Sequence, residues 1–141
     1  IDFSLSNAST IFETKSSLEQ MQKIINNADL IFLSDQEDPR YENICKENIR
    51  KGCLIVKHSP RFVEINLENK SSILENKFHS NSYLNTVGAG DFFAIEFLYK
   101  FHQSFTSGQN WESAISAAKY SMYATKEFLD QKNNSKVYIN P

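Results

Sequence analysis

The sequence is short of cysteine, of long apolar runs and of excess charge. Its 141 residues include two cysteines, Cys45 and Cys53, which is too few for a disulfide framework, so we expect reduced thiols in a cytoplasmic protein. No apolar run approaches the roughly 20 residues of a membrane-spanning helix. The formal net charge is -2, and this lack of basic excess argues against a nucleic-acid partner. These absences leave a globular domain with one sizeable core.

The chain begins at Ile1, without a methionine and without a signal peptide before it. Residues 1–6 alternate apolar and polar side chains, as a β-strand already under way would do. We therefore expect a fragment, the second half of a longer protein, although a processed chain would begin in the same way.

The spacing of apolar residues predicts an α/β fold. Helices are expected over residues 16–27 and 35–51, over 90–102, and from Asn110 as N-cap, while short apolar runs at 29–33 and 53–56 predict buried parallel strands. Residues 61–74 alternate around a turn and predict an antiparallel hairpin, and residues 78–84 lead as a strand into the segment that follows. The expected architecture is a layered α/β/α domain over residues 1–141, mainly a parallel sheet with helices on both faces.

The most informative segment is the glycine loop, defined here as residues 85–91 (Asn-Thr-Val-Gly-Ala-Gly-Asp). Two of the four glycines, Gly88 and Gly90, lie in it, directly before the apolar run that predicts a helix. Glycine lets the backbone approach a ligand closely, and the start of a helix carries partial positive charge. The loop therefore predicts an anion site with the Asp91 carboxylate at its rim. Phosphoryl transfer to a hydroxyl requires this combination of groups.

The glycine loop resembles the second signature of the ribokinase-like (PfkB) family of carbohydrate and nucleoside kinases. The family pattern is approximately Asp-Thr-Thr-Gly-Ala-Gly-Asp, which this chain matches at Thr86 and from Gly88 through Asp91. Residues 28–37 look like the family strand that leads to Asn-x-x-Glu, and residues 54–59 look like the strand before its nucleotide-side turn. The resemblance covers nearly the whole chain, but it maps only onto the C-terminal half of such an enzyme.

The resemblance implies ATP-dependent phosphorylation of a hydroxyl group on a sugar, a sugar derivative or a nucleoside. Asp91 would be the base that takes the proton from the acceptor hydroxyl. The anion hole for the transferring phosphoryl group would be formed by Gly88, Ala89 and Gly90, with the Asp91 amide. The acceptor-binding residues would lie mostly in the missing half, so the fragment alone is expected to be inactive, and uncovered apolar surface would favour a homo-oligomer.

The resemblance also implies ATP and Mg²⁺ as cofactors. Thr86, Ser34 and Glu37 would lie on the nucleotide and magnesium side, with Glu37 helping to hold the hydrated ion. No side chain is expected to ligate a metal directly, because the histidines and cysteines lack ligand spacing. Glu37 lies in a charged segment, so a solvated acidic face explains it equally well.

Three departures from the family pattern favour a second class of function. Ser34 replaces the asparagine of Asn-x-x-Glu, Asn85 replaces the first aspartate of the signature, and the nucleotide-side turn at residues 57–62 contains no glycine. Surface charge is the simpler interpretation of Lys57 and Arg61 in that turn. These features fit a non-catalytic relative that senses nucleotide or binds a partner, whereas the intact Gly-Ala-Gly-Asp run argues for a kinase.

Overall fold

The computed structural model describes residues 15–35, 39–104 and 110–134, with side chains from residue 19 onward. The predicted strand at residues 1–6 and the candidate residue Glu37 lie outside the described residues. The elements in chain order are α1 (Lys15–Asn27), β1 (Leu30–Ser34), α2 (Pro39–Asn48), β2 (Leu54–His58), β3 (Phe62–Leu67), β4 (Lys70–Glu75), α3 (Ala89–Ser104) and α4 (Asn110–Asn134). The predicted α/β fold class is confirmed.

The described residues divide into two compact units. The first runs up to Ser59 and also includes Glu64–Ile73, whereas the second consists of Pro60–Val63 and the chain from Leu74 onward. The four strands form one sheet in the order β1-β2-β3-β4.

The core of the first unit lies between two helices and a parallel strand pair. β1 and β2 run parallel, and the register pairs Leu30 with Leu54 and Ser34 with His58. One cluster of buried residues is shared by α1, β1, α2 and β2; it includes Ile25, Ile31, Tyr41, Cys45 and Ile55. Apolar strand residues outside this cluster are buried too, as the predicted parallel strands require. On α1 the side chains of Met21 and Ile25 are buried, whereas that of Ile24 is 46% exposed.

The predicted hairpin is formed by β3 and β4. Only Glu68 and Asn69 separate the two strands, and a connection of two residues permits only an antiparallel pair. Glu68 has a φ of 53°, as two-residue hairpin turns require of at least one residue. At the open end the Asn76 N–H donates to the Arg61 carbonyl at 2.8 Å, which extends the pairing beyond the strands.

The second unit is built on the packing of α3 against α4. α3 contributes the buried side chains of Phe93, Ala94 and Phe97. The buried residues of α4 are mostly small: Ser113, Ala114, Ala117, Ala118 and Ser121, with Met122 as the one large side chain. Small side chains on one helix leave room for aromatic rings from the other, so Phe93 and Phe97 lie in the core of the second unit. With 25 residues α4 is the longest described helix, yet none of the described helices is both long and apolar enough to cross a membrane.

Two local predictions in the second unit are wrong. No strand precedes the glycine loop, because residues 76–88 form only turns and irregular chain before α3. Asn110 begins α4 as expected, but its side-chain oxygen is buried without a hydrogen-bond partner and therefore caps no backbone amide.

An ion-pair cluster joins α2 to β2. The Glu42 carboxylate binds the ammonium groups of Lys46 and Lys57, each at 3.0 Å. Burial by itself raises the pKa of Glu42, but the hydrogen bonds from Lys46 and Lys57 outweigh it and hold the pKa below the usual 4.5. Lys57 is the first residue of the predicted nucleotide-side turn. Its charge is therefore engaged by Glu42 within the first unit and is not left to bind a nucleotide.

Replacing Glu42 tests this cluster. A carboxylate with a lowered pKa contributes stability above its unfolded pKa and loses that contribution as pH falls through its folded pKa. We therefore expect Glu42→Gln to destabilise the protein at about pH 6, with the difference from wild type shrinking below about pH 4. Urea unfolding across this pH range measures the effect. The exposed Glu47 of the same helix is the matched control, and a Glu47→Gln difference with the same pH profile would contradict the assignment.

Candidate functional site

Gly88 gives the glycine loop its shape. Its φ is +86°, in the left-handed region that side chains other than glycine rarely adopt. An added Cβ would meet only the Phe128 ring, at an ordinary 3.9 Å, so the backbone conformation and not space requires glycine here. The Ala89 N–H donates to the Thr86 carbonyl at 3.1 Å, and the Phe92 N–H donates to the Gly88 carbonyl at 2.9 Å. These bonds close the turn and begin α3 directly behind it.

The start of α3 leaves backbone donors without partners. Within the described residues, the N–H groups of Gly90 and Asp91 make no hydrogen bond. The Asp91 carboxylate is exposed and makes no hydrogen bond or ion pair there either. Unpaired amides at a helix start carry partial positive charge and suit an oxyanion. The predicted loop residues from Thr86 to Asp91 are thus together at one helix start, although the Ala89 amide is used inside the loop.

Asn85 stabilises the loop through its side chain. Its Oδ1 accepts a hydrogen bond from the Val87 N–H at 3.1 Å, the pattern of an Asx turn. An aspartate at this position would offer the same acceptor. Asn85, at the position of the first aspartate in the PfkB signature, is therefore compatible with the shape of the loop.

The last turns of α4 contact the glycine loop and the residues on either side of it. Asn133 hydrogen-bonds the backbone of Leu84 and Asn85, and the Lys132 ammonium donates to the Val87 carbonyl. Phe128 stacks on Phe92 with ring centroids 4.4 Å apart and planes 9° from parallel. These contacts tie the loop to the last turns of α4, with 45 to 49 residues between the hydrogen-bonded partners in the sequence.

A second polar contact lies just before the loop. The Tyr83 hydroxyl donates to Asp130 Oδ1 at 2.5 Å, and Lys126 pairs with the other carboxylate oxygen at 2.8 Å. The hydrogen bond to Asp130 raises the pKa of Tyr83, while the hydrogen bonds from Lys126 and Tyr83 lower the pKa of Asp130. The raised pKa of Tyr83 keeps its hydroxyl protonated, and the lowered pKa of Asp130 keeps its carboxylate ionised. The hydrogen bond between them therefore persists across the neutral pH range.

Ser34 lies in the first unit, at the carboxyl end of β1. It is paired in register with His58, the last residue of β2, and the Asp35 N–H donates to the His58 carbonyl at 3.2 Å. Ligands of parallel sheets bind beyond the carboxyl ends of the strands, and residues 34–35 lie at that end of β1. The described ranges contain no group of three His, Cys, Asp or Glu side chains arranged to hold a metal ion.

The sequence reasoning missed the α4 residues that touch the glycine loop. Lys132 and Asn133 fall in a polar stretch of the sequence, and Phe128 lies one turn before them on the same predicted helix. No motif or short spacing marks these contacts, since 45 to 49 residues separate the hydrogen-bonded partners. The one sequence feature that could have indicated a contact is the apolar side chain of Phe128, which follows Met122 on the same helix.

The elements described above have the α/β fold of ribokinase-type proteins. Two solved structures of a protein described as ribokinase II from E. coli match the chain, the apo form with a TM-score of 0.52 and the complex with ATP and Mg²⁺ with 0.53. Sequence identity is 12% and 10%, and the matches cover 87% and 86% of this chain. They cover 45% and 46% of those structures, so this chain spans a little under half of their length.

A third neighbour is adenosine kinase from Schistosoma mansoni in complex with adenosine and AMP, with 16% identity and a TM-score of 0.48, covering 81% of this chain and 38% of that one. No protein-family model and no curated protein matches the sequence. At the identities of the two E. coli structures, the similarity establishes the fold and nothing further.

The requirement for glycine at position 88 can be tested by comparing alanine substitutions at Gly88 and at Gly90, the second glycine of the loop. Gly88→Ala forces an alanine into the left-handed region, at a cost of about 1–2 kcal/mol in the free energy of unfolding. Gly90→Ala is the matched control, because Gly90 lies within α3 with an ordinary φ, where alanine is favoured over glycine by up to about 1 kcal/mol. Chemical unfolding of both variants measures the difference. Equal effects of the two substitutions would contradict the conformational role of Gly88.

Proposed function

We propose that this chain is the phosphoryl-transfer half of a PfkB-type kinase, which phosphorylates a hydroxyl group of a sugar, a sugar derivative or a nucleoside with ATP as the donor. The observation that carries the proposal is the glycine loop, where left-handed Gly88, the unpaired amides of Gly90 and Asp91, and an exposed carboxylate meet at one helix start. The ribokinase-type fold supports it, since one structure of that fold was solved with ATP and Mg²⁺.

The amides of the loop would stabilise the transferring phosphoryl group. Charge in such a transfer is spread over the three oxygens around phosphorus, so the protein contributes positioning and electrostatic stabilisation. In the proposal the N–H groups of Gly90 and Asp91 donate to these oxygens, together with the positive end of α3. Gly88 contributes by its backbone conformation, and Ala89 contributes through the internal bond of its amide to Thr86.

Asp91 would act as the general base. Its carboxylate accepts the proton of the acceptor hydroxyl while the hydroxyl oxygen forms its bond to the γ-phosphorus and the bond to the departing ADP breaks. This role requires that the carboxylate be oriented toward the acceptor hydroxyl and accessible to it. The exposure of Asp91 and its lack of an ion pair within the described residues fit a group that waits for substrate.

The cofactors in the proposal are ATP and Mg²⁺. The unpaired loop amides fit phosphate oxygens, and Mg²⁺, when bound, would neutralise charge on the phosphates. We assign Thr86, Ser34 and Glu37 to the nucleotide and magnesium side, with Glu37 acting through the hydration shell of the ion. The acceptor site would belong to the other half of the enzyme, in a cytoplasmic protein with a small-molecule substrate. Exposed apolar residues such as Val87 and Ile95 make self-association part of the proposal.

A non-catalytic nucleotide-sensing or interaction domain is the second candidate. One observation favours it: the Lys57 ammonium is engaged by Glu42, so it does not supply the charge that a glycine-free nucleotide turn would need. Weaker nucleotide contact at this turn would suit a sensor better than an enzyme. The unpaired Asp91 carboxylate has no part in that alternative.

We propose that this chain is half of a longer enzyme, and replacing Asp91 in that enzyme tests its role. The test distinguishes a catalytic base from a charge that only stabilises the start of the helix. Asp91→Asn keeps the size of the side chain but removes the base, so kcat is expected to fall by about 10²–10⁴-fold while Mg·ATP binding persists. The matched control is Glu112→Gln, because Glu112 is an exposed acid in the first turn of α4. Both substitutions remove a favourable dipole interaction of about 0.3–1 kcal/mol, but only the first should affect turnover.

The measurement is a phosphorylation screen over sugars and nucleosides, with calorimetry of Mg·ATP binding. Turnover by wild type together with full activity of Asp91→Asn would remove Asp91 from the mechanism. A wild-type protein that binds Mg·ATP but phosphorylates no acceptor would favour the sensing domain.

A further inference from the structure

We infer that Asn133, at the end of α4, is a positioning residue for the glycine loop. Its side-chain amide fixes the backbone of residues 84–85 and thereby the phosphate-binding amides that follow. The catalytic consequence rests on the proposed function, whereas the structural consequence is independent of it.

Every hydrogen-bonding position of the Asn133 amide is used. Its Oδ1 accepts from the N–H groups of Leu84 at 3.1 Å and Asn85 at 3.0 Å. Its Nδ2 donates to the Asn85 carbonyl at 3.1 Å and to the Leu129 carbonyl at 2.7 Å. A primary amide offers two donor hydrogens and two acceptor lone pairs, so this side chain is saturated. Three of its four bonds go to residues 84–85, and the fourth anchors it on its own helix.

Apolar burial does not hold this part of the chain. The Leu84 side chain is 91% exposed and that of Val87 is 75% exposed. Without a buried side chain at either position, the path of the backbone between them depends on polar contacts. The Asn133 amide supplies three of those contacts, and the Lys132 ammonium supplies another at the Val87 carbonyl.

The contacts form a continuous series from Asn133 to the catalytic end of the loop. Asn133 fixes the backbone of Asn85, and the Asn85 side chain in turn binds the Val87 N–H. Val87 is followed by Gly88, whose left-handed conformation directs the chain into α3. Displacements of about 1 Å at reacting groups cost on the order of 10²-fold in rate, so loosening residues 84–85 should be visible in turnover.

Hydrogen exchange and turnover of three variants in the same longer enzyme test the inference. Asn133→Ala removes all four bonds, whereas Asn133→Asp keeps the acceptor for the two amides and loses the donors. Asn134→Ala is the matched control, because it deletes the same chemical group from the exposed neighbouring position on α4. All three are compared with wild type well below their unfolding temperatures, which separates positioning from loss of fold.

Amide exchange measured by NMR is the readout that needs no activity. We expect the Leu84 and Asn85 amides to exchange at least about tenfold faster in Asn133→Ala, with protection retained in Asn133→Asp and Asn134→Ala. For turnover, kcat of Asn133→Ala should fall about tenfold or more with the KM of the acceptor unchanged, and Asn134→Ala should match wild type.

Unchanged exchange of both amides in Asn133→Ala overturns the inference whatever the enzyme does. Faster exchange with wild-type kcat also overturns it, because the loop would then be loosened without consequence for transfer. A wild-type protein without any kinase activity defeats the proposed function instead, and the exchange data alone then decide whether Asn133 holds the loop.

Discussion

The packing of α3 on α4 is the interaction on which the candidate site depends. The run of alanine and serine on α4 lets the phenylalanines of α3 approach closely, and Phe97 is fully buried as a result. Because the glycine loop begins α3, fixing α3 against α4 also fixes where the loop can lie. The stacking of Phe92 on Phe128 continues this apolar contact to the first turn of α3. Before the first turn of α3, the loop is held by polar contacts from Asn133 and Lys132.

This division between apolar and polar contacts explains how the loop remains open to a ligand. A loop buried by apolar side chains would be rigid but inaccessible. Here the side chains of Leu84 and Val87 face solvent, and the backbone between them is held from the side of α4 by Asn133 and Lys132. The Lys132 ammonium also adds a positive charge beside a loop whose amides suit an anion. The loop is therefore held from one side and accessible from the other.

Short-range patterns in the sequence were sufficient for the elements and for the loop. Helical and alternating periodicity located the helices and the hairpin, and glycine spacing located the turn at Gly88. The errors have physical reasons. The backbone of Leu84 and Asn85 is hydrogen-bonded by Asn133 of α4 and not by a neighbouring strand, and Asn110 does not cap because its oxygen is buried without a donor. The contacts of Asn133 could not be predicted from the sequence, since no local rule connects residues 48 positions apart. The roles of Ser34 and Glu37 remain predictions.

The remaining question is whether the loop serves stability or chemistry, and the start of α3 bears on it. Helices are usually begun by a residue whose side chain accepts a hydrogen bond from one of the first amides. The residue before α3 is Gly88, which has no side chain to do this, and the nearby Asn85 oxygen binds the Val87 amide. The amides of Gly90 and Asp91 are left without a protein partner among the described residues, which costs stability unless water or a ligand binds them. Position 88 cannot supply the missing cap, because its φ of +86° disfavours serine and aspartate as it disfavours alanine. Phosphate oxygens would complete the cap that the chain itself omits, so the kinase proposal explains an arrangement that the structural explanation leaves without a purpose.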